Sequence, residues 1–527
     1  MLVWFYSGMR APKTRFPKKP PMPSAPVPVQ VGRHALWMPC AVLAVWAAAL
    51  VYARDQVPPG INNDAAQEAL RGIYLVAGHH GEVITFSVGN SAETLYLYLL
   101  GAVMHVMGPT TLALQLACWP FALATIWMVW KLTDGITDSV PAWVPLLTAA
   151  ASLWLFHYAR SGLRAITAPF FLAAFTLLLD RVERRPLDRW AGLLCGAVLG
   201  LSLYAYTSAR VLPVAFLAYA LFRLARERGE RKPLLVRYGA IVAGAAAISI
   251  PNLLFFFQRP GEFLGRGTYV VAGSGIDRAI HVMWTALLPW YYPSVYRNLG
   301  SLTYQSDGVS AALTAAGRNP VHLVLAAAML AGLWRARRYL DRPAAAFLLA
   351  AWITATLLLG IAGPSLTRML IILPIYLVLA ALGFGYAMEA LPRLRPLVPL
   401  VIVALAAMEG YSYFSSGAEQ AEYYGAAATP MGQMAAAMAA EGHRVLCIVS
   451  KDANVVTLLT HRQTERVRVT EFYGRPLDPS QLPMRELRPE VVLVEDAPAF
   501  RPFTSRLPEQ TRTCREERFS CYSVRGM

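Results

Sequence analysis

Long apolar runs that recur along most of the chain restrict its fold more than any other feature. A hydrocarbon core about 30 Å thick requires about 20 predominantly apolar residues in a helix, and runs approaching that length recur from Leu36 to Met408. Because 56% of the residues are hydrophobic and only 15% are charged, the composition excludes an ordinary soluble enzyme. We expect a polytopic α-helical membrane protein with about eleven crossings. The predicted crossings are Leu36–Tyr52, Thr111–Trp130, Pro141–Phe156, Ala165–Leu179, Trp190–Tyr206, Val211–Leu224, Tyr238–Phe256, Val321–Trp334, Ala344–Ile361, Met369–Ala387 and Pro396–Met408.

One ambiguous segment, Glu93–Met107, decides which loops share a side of the membrane. As a helix of about 15 residues it spans only about 22 Å, which is short of the hydrocarbon core. If it does not cross, the basic amino-terminal tail and all the basic loops lie on one side, as the positive-inside rule requires. If it crosses, every later loop is inverted relative to the tail. We therefore expect Glu93–Met107 to be a surface helix in the first outer loop, with a cytoplasmic amino terminus and an outer carboxyl terminus.

The net charge of +16 is explained by this topology. Most of the cations lie in short clusters between the apolar runs, where the positive-inside rule places cytoplasmic loops. The charge therefore does not indicate a nucleic-acid partner, and we expect a multi-pass protein of the inner (plasma) membrane in contact with membrane lipids. The basic loops hold Lys131, Arg181, Arg184, Arg185, Arg189, Arg223, Arg226, Arg228, Arg231, Lys232, Arg335, Arg337, Arg338, Arg393 and Arg395.

The chain divides into three predicted regions. Residues 1–35 are basic and proline-rich and are expected to form a disordered cytoplasmic tail. Residues 36–411 form the transmembrane domain, with long outer loops at 54–109 and 258–320. Residues 412–527 are expected to form an extracytoplasmic domain.

This last region has the pattern of a small α/β domain. Strand-like runs occur at Arg444–Val449 and Val491–Val494, and an alanine-rich helical stretch lies around Met431–Glu441. Cys514 and Cys521 are close enough in sequence to pair if the compartment is oxidising, although coincidental proximity explains them equally well.

The first outer loop contains a pair of carboxylates with catalytic potential. Asp64 and Glu68 lie one helical turn apart at the start of a polar helix in GINNDAAQEALRG. A carboxylate held at the membrane surface suits a general base that takes a proton from an acceptor hydroxyl. The alternative is that Asn63 or Asp64 is an ordinary helix N-cap.

Arginines next to the outer ends of apolar helices are the second signal. Guanidinium groups pair with phosphate in a bidentate geometry, so a cluster of them suits the phosphate of a lipid-linked substrate. The alternative is that each side chain extends to lipid headgroups at a helix end. The four candidates are Arg160 and Arg164 in HYARSGLRA, Arg210 in YAYTSARVLP, and Arg368 in GPSLTRML.

The long outer loop 258–320 offers a candidate cleft for a sugar or an acceptor. Asp277 and His281 precede the aromatic segment that contains Trp290 and Tyr291. Aromatic faces beside an acid and an imidazole could line such a cleft, but an interfacial aromatic belt is an equally ordinary explanation. No closed set of metal ligands is evident, so we predict no metal site, while a divalent metal is left open.

Five segments, in their order along the chain, carry a likeness to a known family. INNDAAQEALRG places an aspartate after the first membrane helix, and ETLYLYLLGAVMHVMGPTTLALQL is similar to a juxtamembrane helix that leads into the second crossing. HYARSGLRAITAPFFLAAFTLLL and LGLSLYAYTSARVLPV match a pattern of many bacterial members, and TRMLIILPIYLVLAALGFG is similar to a late helix. Together they resemble the GT-C superfamily, in the branch of protein mannosyltransferases and aminoarabinose transferases, from about Leu36 to Met408.

The resemblance implies a reaction and assigns roles to residues. It implies inverting transfer of a sugar from a polyprenyl-phosphate donor to a protein, lipid or glycan acceptor on the outer face, without a cofactor. Asp64 would be the catalytic base, and Glu93 matches a recurring acid at the start of the juxtamembrane helix. The donor phosphate would be held by Arg160, Arg164, Arg210 and Arg368.

The sequence departs from the family pattern at one position in the first loop. Many relatives have Asp-Glu there, whereas Ala65 follows Asp64 in this chain. A mechanism with two carboxylates would therefore need Glu68 from the next helical turn. The rival class of function is a transporter or flippase of a lipid-linked sugar, but the inverted repeats and broken midplane helices of transporters are not evident in the sequence.

Overall fold

The computed structural model describes residues 37–78, 94–185, 189–227, 229, 231–258, 323–361, 366–417, 424–472, 482, 488–496, 500, 512–515 and 519–523. Each of the eleven predicted apolar runs contains helix within these ranges. The helices of the apolar part are α1 Trp37–Val51, α2 Asn63–Val76, α3 Thr94–Met107, α4 Thr111–Ile136, α5 Trp143–Ala150, α6 Leu153–Ser161, α7 Thr167–Arg184, α8 Arg189–Ser202, α9 Val211–Arg226, α10 Arg231–Gln258, α11 Leu323–Ala336, α12 Pro343–Ile361, α13 Leu373–Ala390 and α14 Leu397–Ser415.

Helix length and hydropathy identify seven candidate membrane spans in the described part of the chain. They are Thr111–Ile136, Arg164–Arg184, Thr207–Arg226, Arg231–Phe255, Pro343–Gly360, Leu366–Ala390 and Leu397–Ser415. The remaining predicted crossings correspond to α1, the broken pair α5 and α6, α8 and α11, which are helical but shorter. The protein is thus a multi-pass membrane protein, and the number of eleven crossings stays a prediction.

Charged side chains from the loops predicted to be cytoplasmic meet at one end of the helical bundle. The buried carboxylate of Glu183 lies 3.5 Å from Arg223 and 3.3 Å from Arg237, and it accepts a hydrogen bond of 2.6 Å from the Tyr238 hydroxyl. Near the same end, Thr137 donates to the Tyr339 hydroxyl at 3.2 Å. These contacts join α7, α9 and α10, and tie the end of α4 to the connection that follows α11.

Two glycines allow α2 and α3 to cross with their backbones in contact. A Cβ atom added at Gly72 would lie 2.6 Å from the carbonyl oxygen of Leu97, and one added at Gly101 would collide with the carbonyl oxygen of Gly72. Backbone atoms cannot move away as a flexible side chain can, so these positions exclude larger residues. The close crossing fixes α2, which carries Asp64 and Glu68, against α3.

The carboxyl-terminal region forms the predicted α/β domain. Its helices are α15 Ala428–Ala440 and α16 Ala453–Leu459, and its strands are β1 Val445–Val449, β2 Val467–Glu471, β3 Val491–Glu495, β4 Arg512–Arg515 and β5 Phe519–Ser523. The strand order is β2-β1-β3-β5-β4, with β1 parallel to β2 and β3, and β5 antiparallel to β3 and β4. Cys521 is disulfide-bonded, and Cys514 lies opposite it in the β4–β5 register.

Candidate active site

The first turn of α2 presents Asp64 at the protein surface. The N-cap of this helix is Asn62, whose side-chain oxygen accepts a hydrogen bond of 2.9 Å from the Asp64 amide. The capping role that offered another explanation of Asp64 therefore belongs to Asn62, not to Asn63 or Asp64. Asp64 is exposed, while Glu68, one turn further along, is buried. The two carboxylates thus occupy different environments and suit different tasks.

Glu68 forms a buried ion pair with Arg164. Glu68 Oε1 lies 2.8 Å from Arg164 Nη1, and Glu68 Oε2 accepts a hydrogen bond of 3.0 Å from the Arg164 backbone amide. Burial raises the pKa of the Glu68 carboxyl, and the charge of Arg164 opposes that rise. Because one carboxylate binds both the guanidinium and the backbone of Arg164, it fixes the Arg164 turn against α2.

Three arginine-bearing turns lie next to one another at this end of the bundle. Arg164 begins the turn Arg164–Ile166, and its guanidinium lies 5.7 Å from the ring centre of Tyr206. Tyr206 precedes the turn Thr207–Arg210, which contacts the turn Leu366–Met369. Arg164 is buried, whereas Arg210 and Arg368 are partly exposed. The fold thus places the turns that carry three of the four candidate arginines next to one another.

Arg160 is engaged differently and caps the first helix. Its guanidinium donates hydrogen bonds to backbone carbonyls at and beyond the end of α1, those of Ala49, Leu50, Tyr52, Ala53 and Val57. Carbonyl groups at a helix end lack partners within the helix, and a cation there is favourable. Arg160 is also only 2% exposed. The structure therefore revises its expected role from a phosphate contact to a support of α1 and the loop that leads to Asp64.

Tyr96 is a buried support that the sequence did not indicate. Its hydroxyl donates a hydrogen bond of 2.9 Å to the carbonyl oxygen of Gly162 and lies 3.1 Å from the Cys118 sulfur. Gly162 ends α6 with a φ of 79°, a conformation that favours glycine. An added Cβ there would lie 3.1 Å from Leu114 and 3.5 Å from Ala65. Side chains of α2, α3 and α4 therefore converge on the turn between Arg160 and Arg164.

The carboxyl-terminal domain packs directly on the loop that leads to Asp64. The Ile61 amide donates a hydrogen bond of 3.0 Å to Thr429 Oγ1, and the Tyr424 hydroxyl lies 3.2 Å from Nε2 of His157 in α6. Helix α16 packs against α2. The carboxyl ends of the parallel strands β1, β2 and β3 therefore lie on the same side of the membrane domain as Asp64.

Asp452 lies between β1 and α16, where the charge of Asp64 affects its pKa. It has a φ of 69°, which is rare outside glycine, asparagine and aspartate. Burial raises its pKa from 3.8 to about 6; Lys451 opposes the rise, and the charges of Glu495, Glu471 and Asp64 add to it. An aspartate of α2 thus lies close enough to affect the ionisation of an aspartate in the other domain.

Asp452→Asn is expected to stabilise the protein at pH 8 and to have little effect near pH 4. Between pH 3.8 and about pH 6 the folded state binds more protons at Asp452 than the unfolded state does. The free energy of unfolding of the parent protein therefore falls as the pH rises through this range. The neutral asparagine avoids that loss. At pH 8 the free energy of unfolding of the variant should exceed that of the parent by about 1–2 kcal/mol, after allowance for solvent screening. Asparagine also tolerates the positive φ at this position. Thermal unfolding at both pH values measures it, with Asp496→Asn as an exposed control; equal shifts for the two variants would contradict the expectation.

Five predicted site residues lie outside the described residues: Glu93, Asp277, His281, Trp290 and Tyr291. Their roles stay predictions. In the part of the chain that the structure describes, no group of three or more histidine, cysteine, aspartate or glutamate side chains could hold a metal ion.

Comparisons with known proteins bear on the fold. Residues 94–255 match the sequence model of the family described as dolichyl-phosphate-mannose-protein mannosyltransferase. This match is less than half of the chain, and it includes Arg160, Arg164 and Arg210. No curated protein sequence matches the chain.

Solved structures match over nearly the whole chain. The crystal structure of ArnT from Cupriavidus metallidurans bound to undecaprenyl phosphate has a TM-score of 0.58 and 13% sequence identity, with 93% of this chain and 98% of that chain covered. The apo structure of the same ArnT has a TM-score of 0.58 and 14% sequence identity, with 93% of this chain and 97% of that chain covered. The apo oligosaccharyltransferase of Archaeoglobus fulgidus has a TM-score of 0.47 and 14% sequence identity, with 88% of this chain and 70% of that chain covered. The two ArnT structures show that the chain has the GT-C fold.

Proposed function

We propose that this protein transfers a sugar from a polyprenyl-phosphate donor to an acceptor on the outer face of the membrane, with inversion at the anomeric carbon. The observation that carries this proposal is the Glu68–Arg164 ion pair, which joins the helix bearing Asp64 to the turn where the arginines begin. ArnT, a structure of the same fold, was crystallised with undecaprenyl phosphate. A base and a set of phosphate-binding cations on adjoining elements are what this transfer requires.

The arginines account for departure of the lipid phosphate. When the bond between the sugar and the phosphate breaks, negative charge grows on the phosphate oxygens. Arg164, Arg210 and Arg368 would stabilise that charge, since guanidinium groups form strong, short hydrogen bonds to phosphate. Arg160 is left out of this set, because its guanidinium binds backbone carbonyls of α1 and the following loop.

Asp64 would provide the remaining chemistry by deprotonating the acceptor. Its position in the first turn of α2 makes it accessible at the surface, next to the carboxyl-terminal domain. The acceptor hydroxyl would lose its proton to Asp64 as its oxygen attacks the anomeric carbon from the face opposite the phosphate. Glu68 would hold the geometry and would not act as a second base.

Release of undecaprenyl phosphate tests the proposed activity. Purified full-length protein mixed with a sugar-linked undecaprenyl phosphate and a cell-envelope extract as the acceptor source should release undecaprenyl phosphate, detected by mass spectrometry. A transporter or flippase of the same lipid would bind the donor and return it intact. Recovery of intact donor under conditions where the protein binds it would therefore favour that rival function. The sugar and the acceptor follow from the mass added to the modified product.

We propose a cytoplasmic amino terminus, an outer carboxyl-terminal domain and a location in the inner (plasma) membrane. The basic loops supply the charged contacts at one end of the bundle, and the positive-inside rule assigns that end to the cytoplasm. A cysteine placed at Arg185 should react with an impermeant reagent only after the membrane is opened. A cysteine placed at Lys451, which is exposed, should react in intact spheroplasts. The reverse pattern would invert the topology.

A further inference from the structure

Ser208 is a buried side chain in the turn Thr207–Arg210 whose hydroxyl forms no hydrogen bond with any residue that the structure describes. It is 3% exposed, and its Oγ has no hydrogen-bond partner among the described residues. Several other buried hydroxyls of the bundle bond to carbonyls of the preceding helical turn, as Thr125 does to Phe121 and Thr176 to Leu172, both at 2.7 Å. A buried polar group without a partner is costly, so this position calls for an explanation.

The surroundings of Ser208 indicate what would satisfy it. Ser208 lies two residues after Tyr206, whose ring lies against the Arg164 guanidinium, and two residues before Arg210. Its turn contacts the turn Leu366–Met369, which carries Arg368. A phosphate placed among these arginines accepts hydrogen bonds and donates none when ionised, and a serine hydroxyl can donate to it.

We propose that Ser208 Oγ donates a hydrogen bond to a phosphate oxygen of the lipid-linked donor, and is thus a donor-binding residue beside the three arginines. This inference rests on the proposed function, because it takes the donor to be a polyprenyl-phosphate sugar. The buried hydroxyl has no partner among the described residues, and a bound donor would supply one. The two states therefore respond to the loss of the hydroxyl in opposite directions.

Ser208→Ala should leave the melting temperature of the ligand-free protein unchanged or raise it, because a buried group without a partner is removed. The same change should weaken binding of undecaprenyl phosphate about tenfold, since one hydrogen bond to a charged group is lost. A residue with a purely structural role would lower the melting temperature and leave the affinity unchanged. The opposite signs separate the two explanations.

Thr148 offers a matched control. It lies in α5, away from the arginine-bearing turns, and its buried hydroxyl also has no partner among the described residues. Thr148→Val should therefore affect the ligand-free protein as Ser208→Ala does, without changing the affinity for undecaprenyl phosphate. Ser208→Cys, which keeps a weak donor of similar size, should bind with intermediate affinity and serves if the alanine variant is poorly folded.

The experiment is a titration of full-length protein and its variants in detergent with undecaprenyl phosphate, followed by the rise in melting temperature. Equal affinity of the parent, Ser208→Ala and Ser208→Cys would overturn the inference and leave the proposed function standing. No rise for the parent protein would overturn both. Phosphatidic acid at the same concentration tests which lipid supplies the phosphate. If it raises the melting temperature as much as undecaprenyl phosphate does, and this rise is lost in Ser208→Ala, the site binds phospholipid headgroups. That result would overturn the inference.

Discussion

Asp64→Asn is expected to lower the rate of sugar transfer about 10²–10⁴-fold, which is the usual contribution of a general base. Asparagine has nearly the same shape but cannot accept the proton of the acceptor hydroxyl. The fold should not change, because the side chain is exposed and the N-cap of α2 is Asn62. The variant should therefore bind undecaprenyl phosphate as the parent does, which a melting-temperature titration can measure beside the initial rate of transfer.

Asp55 provides the control for this experiment. It is a carboxylate of the loop between α1 and α2, its side chain is 67% exposed, and it pairs with Arg54 at 3.2 Å. Asp55→Asn changes the charge of the loop as Asp64→Asn does, yet should transfer sugar within about twofold of the parent rate, since exposed ion pairs contribute little. Unchanged turnover in Asp64→Asn, or equal losses in both variants, would remove Asp64 from the role of base.

Glu68→Leu is expected to destabilise the protein by about 3–5 kcal/mol, because it leaves the Arg164 charge buried without its carboxylate. The side chains of the pair are 8% and 6% exposed, so water cannot replace the lost partner. Glu68→Leu combined with Arg164→Met replaces the whole pair by apolar residues and should recover much of this stability. The double variant should still be inactive, because Arg164 is then absent from the donor site. Thermal unfolding and initial rates measure the two effects separately.

Glu68→Gln distinguishes positioning from catalysis. Glutamine keeps an oxygen that can accept from the Arg164 amide or guanidinium, so a positioning residue should retain part of its activity with an unchanged pH profile of kcat/KM. A second catalytic carboxylate should lose transfer as completely as Asp64→Asn and should also remove one limb of the pH profile. That second outcome would restore the two-carboxylate mechanism that the family resemblance suggested.

Features that depend on local sequence could be predicted well. Apolar runs must be helical in a membrane, because a helix satisfies its backbone groups within one segment, and each of the eleven predicted runs contains helix in the described part of the chain. The strands at Arg444–Val449 and Val491–Val494 were confirmed as β1 and β3, since short runs of β-branched residues favour strands. The segment predicted as a surface helix, Glu93–Met107, contains α3 at Thr94–Met107.

Roles that depend on distant partners could not be predicted. Arg160 and Arg164 lie in one motif and are both buried, yet one binds carbonyls near α1 and the other binds Glu68. The motif HYARSGLRA does not indicate which partner each arginine binds, because the partners lie roughly a hundred positions earlier in the chain. Asp452 lies in a charged loop like many others, and its link to Asp64 exists only where the two domains meet.

The hydrogen bond between Ile61 and Thr429 joins residues 368 positions apart. During synthesis, the segment before Asp64 is therefore made long before its partner exists. Its complete set of contacts forms only after α14 and the last domain have been made. The loop before Asp64 thus depends on an early and a late part of the chain, and a chain that terminates before Thr429 lacks this contact.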